Sequence, residues 1–204
     1  MNVISFSLYG NKPKYDDGFR ANFRLAKEIY PGWKVWVYST GLVYNIEADR
    51  IIMMQGNGSH PGLFWRFNPA FDSSVDRMIV RDADSRLNWK EKAAVDEWIE
   101  SGKPFHCMRD HDQHTVPIMG GMWGCIPSKI KGFKDAMDKW TDFEMDGDQK
   151  FLRHHVWPSV REKCICHTSH IERDIGYHGP HDARPFPPHK ETTELFVGQP
   201  HGDV

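Results

Sequence analysis

No sign of charge dominates the chain. Lys plus Arg is 26, Asp plus Glu is 28, and the net charge is −2 over 204 residues. A protein working mainly on bulk nucleic acid carries a basic footprint, and that footprint is missing. No apolar run approaches the roughly 18 to 20 residues that a membrane helix needs. Residues 1–10 lack a basic stretch and a cleavage site, so no secretory signal is expected and a cytoplasmic location follows. Cysteine is scarce: Cys107, Cys125, Cys164 and Cys166 are the whole complement. An even count permits disulfides, but a chain this long buries a core without staples, so reduced thiols are expected. Internal repeats and linker-like runs are absent, which leaves one domain over residues 1–204. With 39% hydrophobic and 13% aromatic residues, the chain has the means to fold.

What is present alternates between strand and helix patterns. Residues 2–8 (NVISFSL) are apolar and β-branched, and Gly10 closes them. Residues 16–30 place Phe19, Phe23, Ala26 and Tyr30 at helical spacing, and Pro31 with Gly32 stops the run. Residues 34–39 (KVWVYS) form a second strand. Strand, helix, strand is a crossover unit and favours a parallel sheet. A third strand is expected at 50–54, a glycine-rich loop at 55–62 and a helix bearing Arg66 at 63–71. Residues 76–81 (DRMIVR) form a strand that runs straight into Asp82, Ala83 and Asp84. Asn88 caps a helix to 99 that Gly102 ends, and 104–109 is the next strand. Beyond it, 110–117 is polar and 118–126 (IMGGMWGCI) is apolar and rich in glycine. Ser128 is placed to cap a helix to Trp140. Residues 146–157 look helical, 163–167 strand-like and 176–188 irregular.

Three Asp-x-Asp triplets occur: Asp82/Asp84, Asp110/Asp112 and Asp146/Asp148. With 18 Asp in 204 residues, chance supplies about 1.6 of them, so context must sort them. Only Asp82/Asp84 closes an apolar strand, and open α/β sheets bind ligands outside the carboxyl ends of their strands. Side chains two apart on an extended segment point the same way. Two such carboxylates can share Mg²⁺ or Mn²⁺, ions that bridge protein carboxylates and substrate phosphates. The ion then neutralises charge on a leaving diphosphate. An acidic turn capping the following helix is the competing explanation, and spacing alone divides the two evenly.

The segments ISFSLYG, LFWRFNPAF, MIVRDADSR, MRDHDQHTVPIMGGMWG and DGDQKFLRHHVWP occur in that order. Together they resemble small DxD-containing glycosyltransferases of the GT-A fold, the chlorella-virus glycosyltransferase domain and related bacterial proteins among them. The likeness runs over roughly residues 2–170, and RPFPPHKETTELFVG at 184–198 is also similar. It implies a single GT-A (Rossmann-like) α/β domain with a mostly parallel central sheet flanked by helices. A nucleotide-binding half would fill about 1–100 and a sugar and acceptor half about 101–204. The implied activity is metal-dependent transfer of a sugar from a nucleoside-diphosphate sugar, expected to be a UDP-sugar, to a glycan or glycoprotein. Mn²⁺ or Mg²⁺ would be the cofactor, the protein a monomer or weak oligomer, and the location the host cytoplasm for a viral source.

Residue by residue, the resemblance implies that Asp82 and Asp84 hold the metal, with His167 as a late third ligand and His170 and His178 as rivals. Ser7, Leu8 and Tyr9 would meet the nucleotide, Tyr9 by stacking on the base. Arg66 would reach the sugar or diphosphate with its fork, and Arg81 would fix the register of the carboxylates beside the donor. Gly120 and Gly121 would wall the sugar pocket with Met122 and Trp123. Gln149 and Asp148 would lie beside the donor sugar, and Asp148 or Asp110 would be the catalytic carboxylate. Each has a plainer explanation: a core aromatic for Tyr9, a surface salt bridge for Arg66, a bulge for the glycine pair. The chain departs from the shorter pattern of its relatives at 171–182, which is longer and richer in histidine.

Three other functions compete. A zinc module could use the histidines with Cys164 and Cys166, but that pair has a one-residue gap and no partner pair. An aspartyl-nucleophile phosphohydrolase also uses D-x-D after a strand, but near the chain start and before Thr or Val; here Ser85 and Arg86 follow. A non-catalytic sugar-binding module differs from an enzyme only in turnover.

Overall fold

A computed structural model describes residues 1–10, 12–41, 46–55, 61–144, 146–179, 181–190 and 195–201. Strand β1 (Asn2–Leu8) leads through helix α1 (Pro13–Ile29) to β2 (Lys34–Ser39) and β3 (Arg50–Met53). The short helix α2 (Pro61–Trp65) precedes β4 (Arg77–Arg81), α3 (Trp89–Ser101), β5 (Phe105–Arg109) and β6 (Met122–Cys125). Then come α4 (Phe133–Lys139), α5 (Gly147–Phe151), α6 (Trp157–Val160), β7 (Cys164–Thr168), α7 (Ile171–His178) and β8 (Asp182–Arg184). The strands form one sheet in the order β3-β2-β1-β4-β6-β5-β7-β8. Every neighbouring pair is parallel except the two made by β6, which runs against β4 and β5. Strands β1, β4, β5 and β7 therefore end at the same edge. From β1 the chain turns to β2 on one side and later to β4 on the other, which opens a crevice at that edge.

Alternation along the strands divides the apolar residues between two cores. Val3, Met78, Val80, Cys107 and Trp123 pack with Phe64, Phe67, Phe133 and Phe151 from the short helices. Ile4, Phe6, Leu8 and Ile79 pack on the other face with Phe19, Phe23 and Ala26 of α1 and Val95 and Trp98 of α3. The single-layer mostly parallel sheet with helices on both faces is the α/β architecture expected from the sequence. No helix among the described residues is long and apolar enough to cross a membrane, and all four cysteines are free and buried.

Caps and breakers explain where the elements stop. The Asn88 side chain accepts from the Glu91 amide at 2.9 Å, and Gly102 takes the left-handed conformation (φ 65°) that ends α3. Four expectations need correction. The helix expected over 63–71 is broken: α2 stops at Trp65, and Asn68–Phe71 is a separate 3-10 turn with Pro69 at its start. Ser128 caps no helix; it lies in a 3-10 turn, and α4 begins only after Gly132, whose φ of 73° interrupts the chain. The run expected over 146–157 is helical from Gly147 but not uniform: Asp146 lies outside it with φ 62°, and a π turn (Leu152–Val156) separates α5 from α6. Pro158, in the first turn of α6, has no N–H to donate back into that turn. The stretch expected to be irregular, 176–188, holds the end of α7 and the three-residue β8, and a fully buried Arg109–Asp174 ion pair at 2.8 Å fixes that helix. Of the expected loop at 55–62, residues 56–60 lie outside the described residues.

Inside the sheet, His106 Nε2 and His167 Nδ1 are 2.9 Å apart, and the Trp98 ring stacks on His106. Burial holds both imidazoles below their ordinary pKa, His106 far below, where the adjacent His167 adds to the effect. The unfolded chain therefore binds more protons than the fold once the pH drops under about 6.5, so this contribution is complete above that pH and is lost below it. The urea midpoint should fall between about pH 7 and pH 5, and it should fall less steeply in His106→Gln. Equal slopes for the two proteins would contradict the assignment.

Candidate functional site

The crevice at the carboxyl ends of β1 and β4 holds two adjoining cavities. One, of about 470 Å³, is lined by Met119, Gly120, Gly121, Met122, Asp148 and Gln149 among others. The second, of about 490 Å³, is lined by Ser7, Lys12, Tyr15, Ala83, Asp84 and Pro200. Tyr9, Leu63, Arg66 and Asp82 belong to both and form the wall between them.

The loop after β4 is stitched to α1. Asn22 donates to the Ser85 carbonyl at 2.9 Å and accepts from the Leu87 amide at 3.0 Å. Gly18, mid-helix, lets α1 come so close that a Cβ there would run into the Ala83 carbonyl. The Ser85 hydroxyl donates to the Asp82 carbonyl at 3.0 Å, tightening the turn. Asp82 and Asp84 are thus carried forward into the crevice on a fixed backbone.

Arg66 follows α2, and its amide donates to Ser7 Oγ at 2.9 Å. Its guanidinium is buried and bridges two carboxylates: Nη1 to Asp82 Oδ1, and Nη2 to Asp148 Oδ2 at 2.8 Å. Asp148 sits in the first turn of α5 and also accepts from the Gln149 amide at 2.8 Å. Gly120 and Gly121 make this possible, because a Cβ at Gly120 would strike the Asp148 carboxylate and one at Gly121 the Asp82 carboxylate.

Burial opposes the Arg66 charge, but Asp82 and Asp148 outweigh it and hold the guanidinium firmly protonated. Burial raises the Asp148 pKa, with Arg66 pulling the other way. Asp84 is raised by burial and then by its neighbour Asp82, while Lys14, 3.8 Å away, opposes both. Burial pushes the Tyr9 phenol up to about 12, so it stays neutral, edge-on to Trp65 at 6.0 Å.

The structure gathers Ser7, Tyr9, Arg66, Asp82, Asp84, Gly120, Gly121, Asp148 and Gln149 around the cavities. Others it places elsewhere. Leu8 points into the core under α1. Arg81 is buried against Glu91 of α3 at 3.2 Å, with the Tyr30 hydroxyl donating to the same carboxylate at 2.9 Å. Asp110 is consumed by Lys90 at 2.6 Å, the Val197 amide at 2.8 Å and the Ser169 hydroxyl. His167 has both ring nitrogens engaged, by His106 and by Glu97 at 3.3 Å. His170 pairs with the exposed Asp112 at 3.3 Å, and His178 packs on Trp157. Trp123 fills the core against Phe105 rather than facing a ligand. The glycine pair makes its close approach to protein carboxylates.

Lys14, Met119 and His114 line or flank the site without a sequence signal. The tail adds Pro200 and His201, whose amide donates to the Asp84 carbonyl at 2.9 Å. Gly18 did carry a signal: a glycine inside an amphipathic helix usually has a packing reason.

Among the described residues no group of three or more His, Cys, Asp or Glu side chains is assembled to hold a metal ion. Asp82 and Asp84 nevertheless suit Mg²⁺ or Mn²⁺, which commonly take one or two carboxylates and complete their shells with substrate oxygens and water. Two observations fit ligands of both signs: burial and then Asp82 push Asp84 toward protonation, and the buried Arg66 Nε has no partner among the described residues.

No family model matches the chain, and no curated protein matches it. A solved structure does: a glycosyltransferase involved in the glycosylation of the major capsid of PBCV-1. The TM-score is 0.55 at 16% identity, and the match covers 87% of each chain. At that identity the likeness establishes a shared fold, that of a glycosyltransferase, over nearly the whole length of both proteins.

The glycine contacts separate two substitutions. Gly18→Ala meets backbone and should cost about 1–3 kcal/mol despite the gain in helix propensity. Gly121→Ala meets the movable end of Asp82 and should cost under about 1 kcal/mol while dislodging that carboxylate from Arg66. Guanidinium denaturation of both variants measures the order, and a reversed order would overturn it.

Proposed function

We propose that the protein is a metal-dependent glycosyltransferase that moves a sugar from a nucleoside-diphosphate sugar, a UDP-sugar being the first to test, to a glycan or glycoprotein acceptor. One observation carries this: two cavities share Arg66 and Asp82 at the carboxyl edge of a sheet whose fold matches a glycosyltransferase. The cavity beside β1 takes the nucleotide, with the faces of Tyr9 and Tyr15 for the base and Lys12 and Lys14 toward the phosphates. The cavity beside Gly120 and Gly121 takes the sugar and the incoming hydroxyl.

Asp82 and Asp84 would hold Mn²⁺ or Mg²⁺, and a bound ion would supply neutralisation of the charge that builds on the departing diphosphate. His201, whose amide donates to the Asp84 carbonyl, takes the place of His167 as the late histidine to test beside that pair. Asp148 faces the sugar cavity. Burial raises its affinity for a proton, as a base for the acceptor hydroxyl requires, and Arg66 keeps it ionised until then. Gln149 is placed to orient sugar hydroxyls.

A panel of nucleoside-diphosphate sugars, read by thermal shift with and without Mn²⁺, tests the proposal. A matching donor should raise the melting temperature by several degrees only when the ion is present, since saturation at 100 times Kd adds about 2.7 kcal/mol. Asp84→Ala should melt near the parent protein yet lose that shift, and the parent should release sugar slowly to water. Calorimetry showing unchanged donor affinity in Asp84→Ala would overturn the metal assignment. Donor binding without any turnover, with a full acceptor panel, would leave a sugar-binding module.

A further inference from the structure

The wall between the cavities contains a cation of the protein's own in the place where the bound ion is expected to act. Arg66 and Asp148 have side chains only 6% and 5% exposed, while Asp82 is 40% exposed. One guanidinium nitrogen is on Asp82 Oδ1 and another on Asp148 Oδ2. The second Asp82 oxygen is turned against Gly121, in the space a Cβ would fill. Asp84 is turned toward Lys14 instead. The two carboxylates therefore do not converge on one point; each already faces a positive side chain.

We propose that Arg66 is a stand-in cation: it occupies Asp82 in the free protein and yields it only when an anionic diphosphate arrives, so that metal and nucleoside diphosphate bind as a coupled pair. The proposal rests on the metal-dependent reading above. The physical argument has three steps. A buried guanidinium cannot leave a carboxylate without another anion to receive it. Arg66 retains Asp148 as a fixed anchor, and its Nε, buried and unpartnered, is available to a diphosphate, whose paired oxygens suit the arginine fork. Once Arg66 shifts, Asp82 loses its only close cation among the described residues and can turn to join Asp84. Coupling of this kind is reciprocal: each ligand raises the affinity of the other by the same factor.

The experiment is a Mn²⁺ titration of the full chain by electron paramagnetic resonance, with and without UDP, against UDP alone as background. In the parent protein UDP should tighten Mn²⁺ binding by about 10-fold or more. Arg66→Gln should bind Mn²⁺ alone about 5-fold tighter than the parent and show correspondingly weaker coupling to UDP, since only the direct contact between ion and diphosphate would remain. Asp148→Asn should do the opposite to Mn²⁺ alone, because Arg66 then belongs entirely to Asp82; a merely structural role would not give opposite signs. Circular dichroism checks both folds, and if Arg66→Gln is unfolded the direction in Asp148→Asn decides. Parent protein that binds Mn²⁺ equally with and without UDP, or an Arg66→Gln no tighter than the parent, overturns the exchange while leaving a metal site standing. Parent protein that binds no Mn²⁺ under either condition removes the metal reading itself, and the exchange with it.

Discussion

A single buried guanidinium sets the geometry of the crevice. Arg66 ties the turn after α2 to the tip of β4 through Asp82 and to the first turn of α5 through Asp148. Its amide ties the same turn to β1 through Ser7. These elements lie up to 82 residues from Arg66 in sequence, and without the arginine two carboxylates would face each other in a poorly hydrated wall, where like charges are costly. The short helices that carry Arg66 and Asp148 have little stability of their own. They are held by aromatic packing on one face of the sheet, through Phe64, Phe67 and Phe151, and the ion pairs then fix their polar ends. Packing sets where the elements lie, and charge sets how the site faces.

Much of this was legible. Strand β1, helix α1, strand β2 and helix α3 follow from periodicity, the Pro31–Gly32 stop, the Asn88 cap and Gly102. Asp82 and Asp84 were separable from two other triplets because they close an apolar strand. Three of the misplaced residues, Leu8, Arg81 and His167, share one cause, which is strand parity. On β1, Leu8 has the parity of Ile4 and Phe6 and falls into the α1 core, while Ser7 and Tyr9 have the parity of Val3 and face the crevice. On β4, Arg81 has the parity of Ile79 and points to α3, while Asp82 continues that of Val80. On β7, His167 has the parity of Ile165 and faces α3, where Glu97 meets it. The pattern was present in the letters, but its phase could be fixed only by knowing which core each strand face builds.

Other features had no local trace. Nothing near Asp110 in sequence announces Lys90, Ser169 and Val197, which lie 20, 59 and 87 residues away. Asp110 also ends a strand, though FHCMR is less apolar than RMIVR, and nothing local marks it as consumed by the fold. The break between α2 and the turn at Asn68–Phe71 does have a local cause in Pro69. The π turn before Pro158 reflects one helical run accommodating a residue that cannot donate.

The fates of the carboxylates suggest a general criterion for telling a structural acid from a functional one. Glu91, Asp110 and Asp174 are as buried as Asp148, yet each is matched by a cation of the chain that serves no other carboxylate deep in the protein: Arg81, Lys90 and Arg109. Their charge is settled by folding. At the crevice the supply falls short. One buried arginine is divided between Asp82 and Asp148, Asp84 has Lys14 only at 3.8 Å, and the arginine itself keeps a buried nitrogen unused. A deficit of positive charge beside an unsatisfied donor is what a ligand bringing a divalent cation and phosphate oxygens together would relieve, as the proposed function requires. Asp110 contributes indirectly: by accepting from the Val197 amide it holds the tail across the crevice mouth, where Gly198 lies on Met122 and Pro200 lines the cavity beside β1. The acid that was consumed by the fold thus builds the wall around the acids that were not.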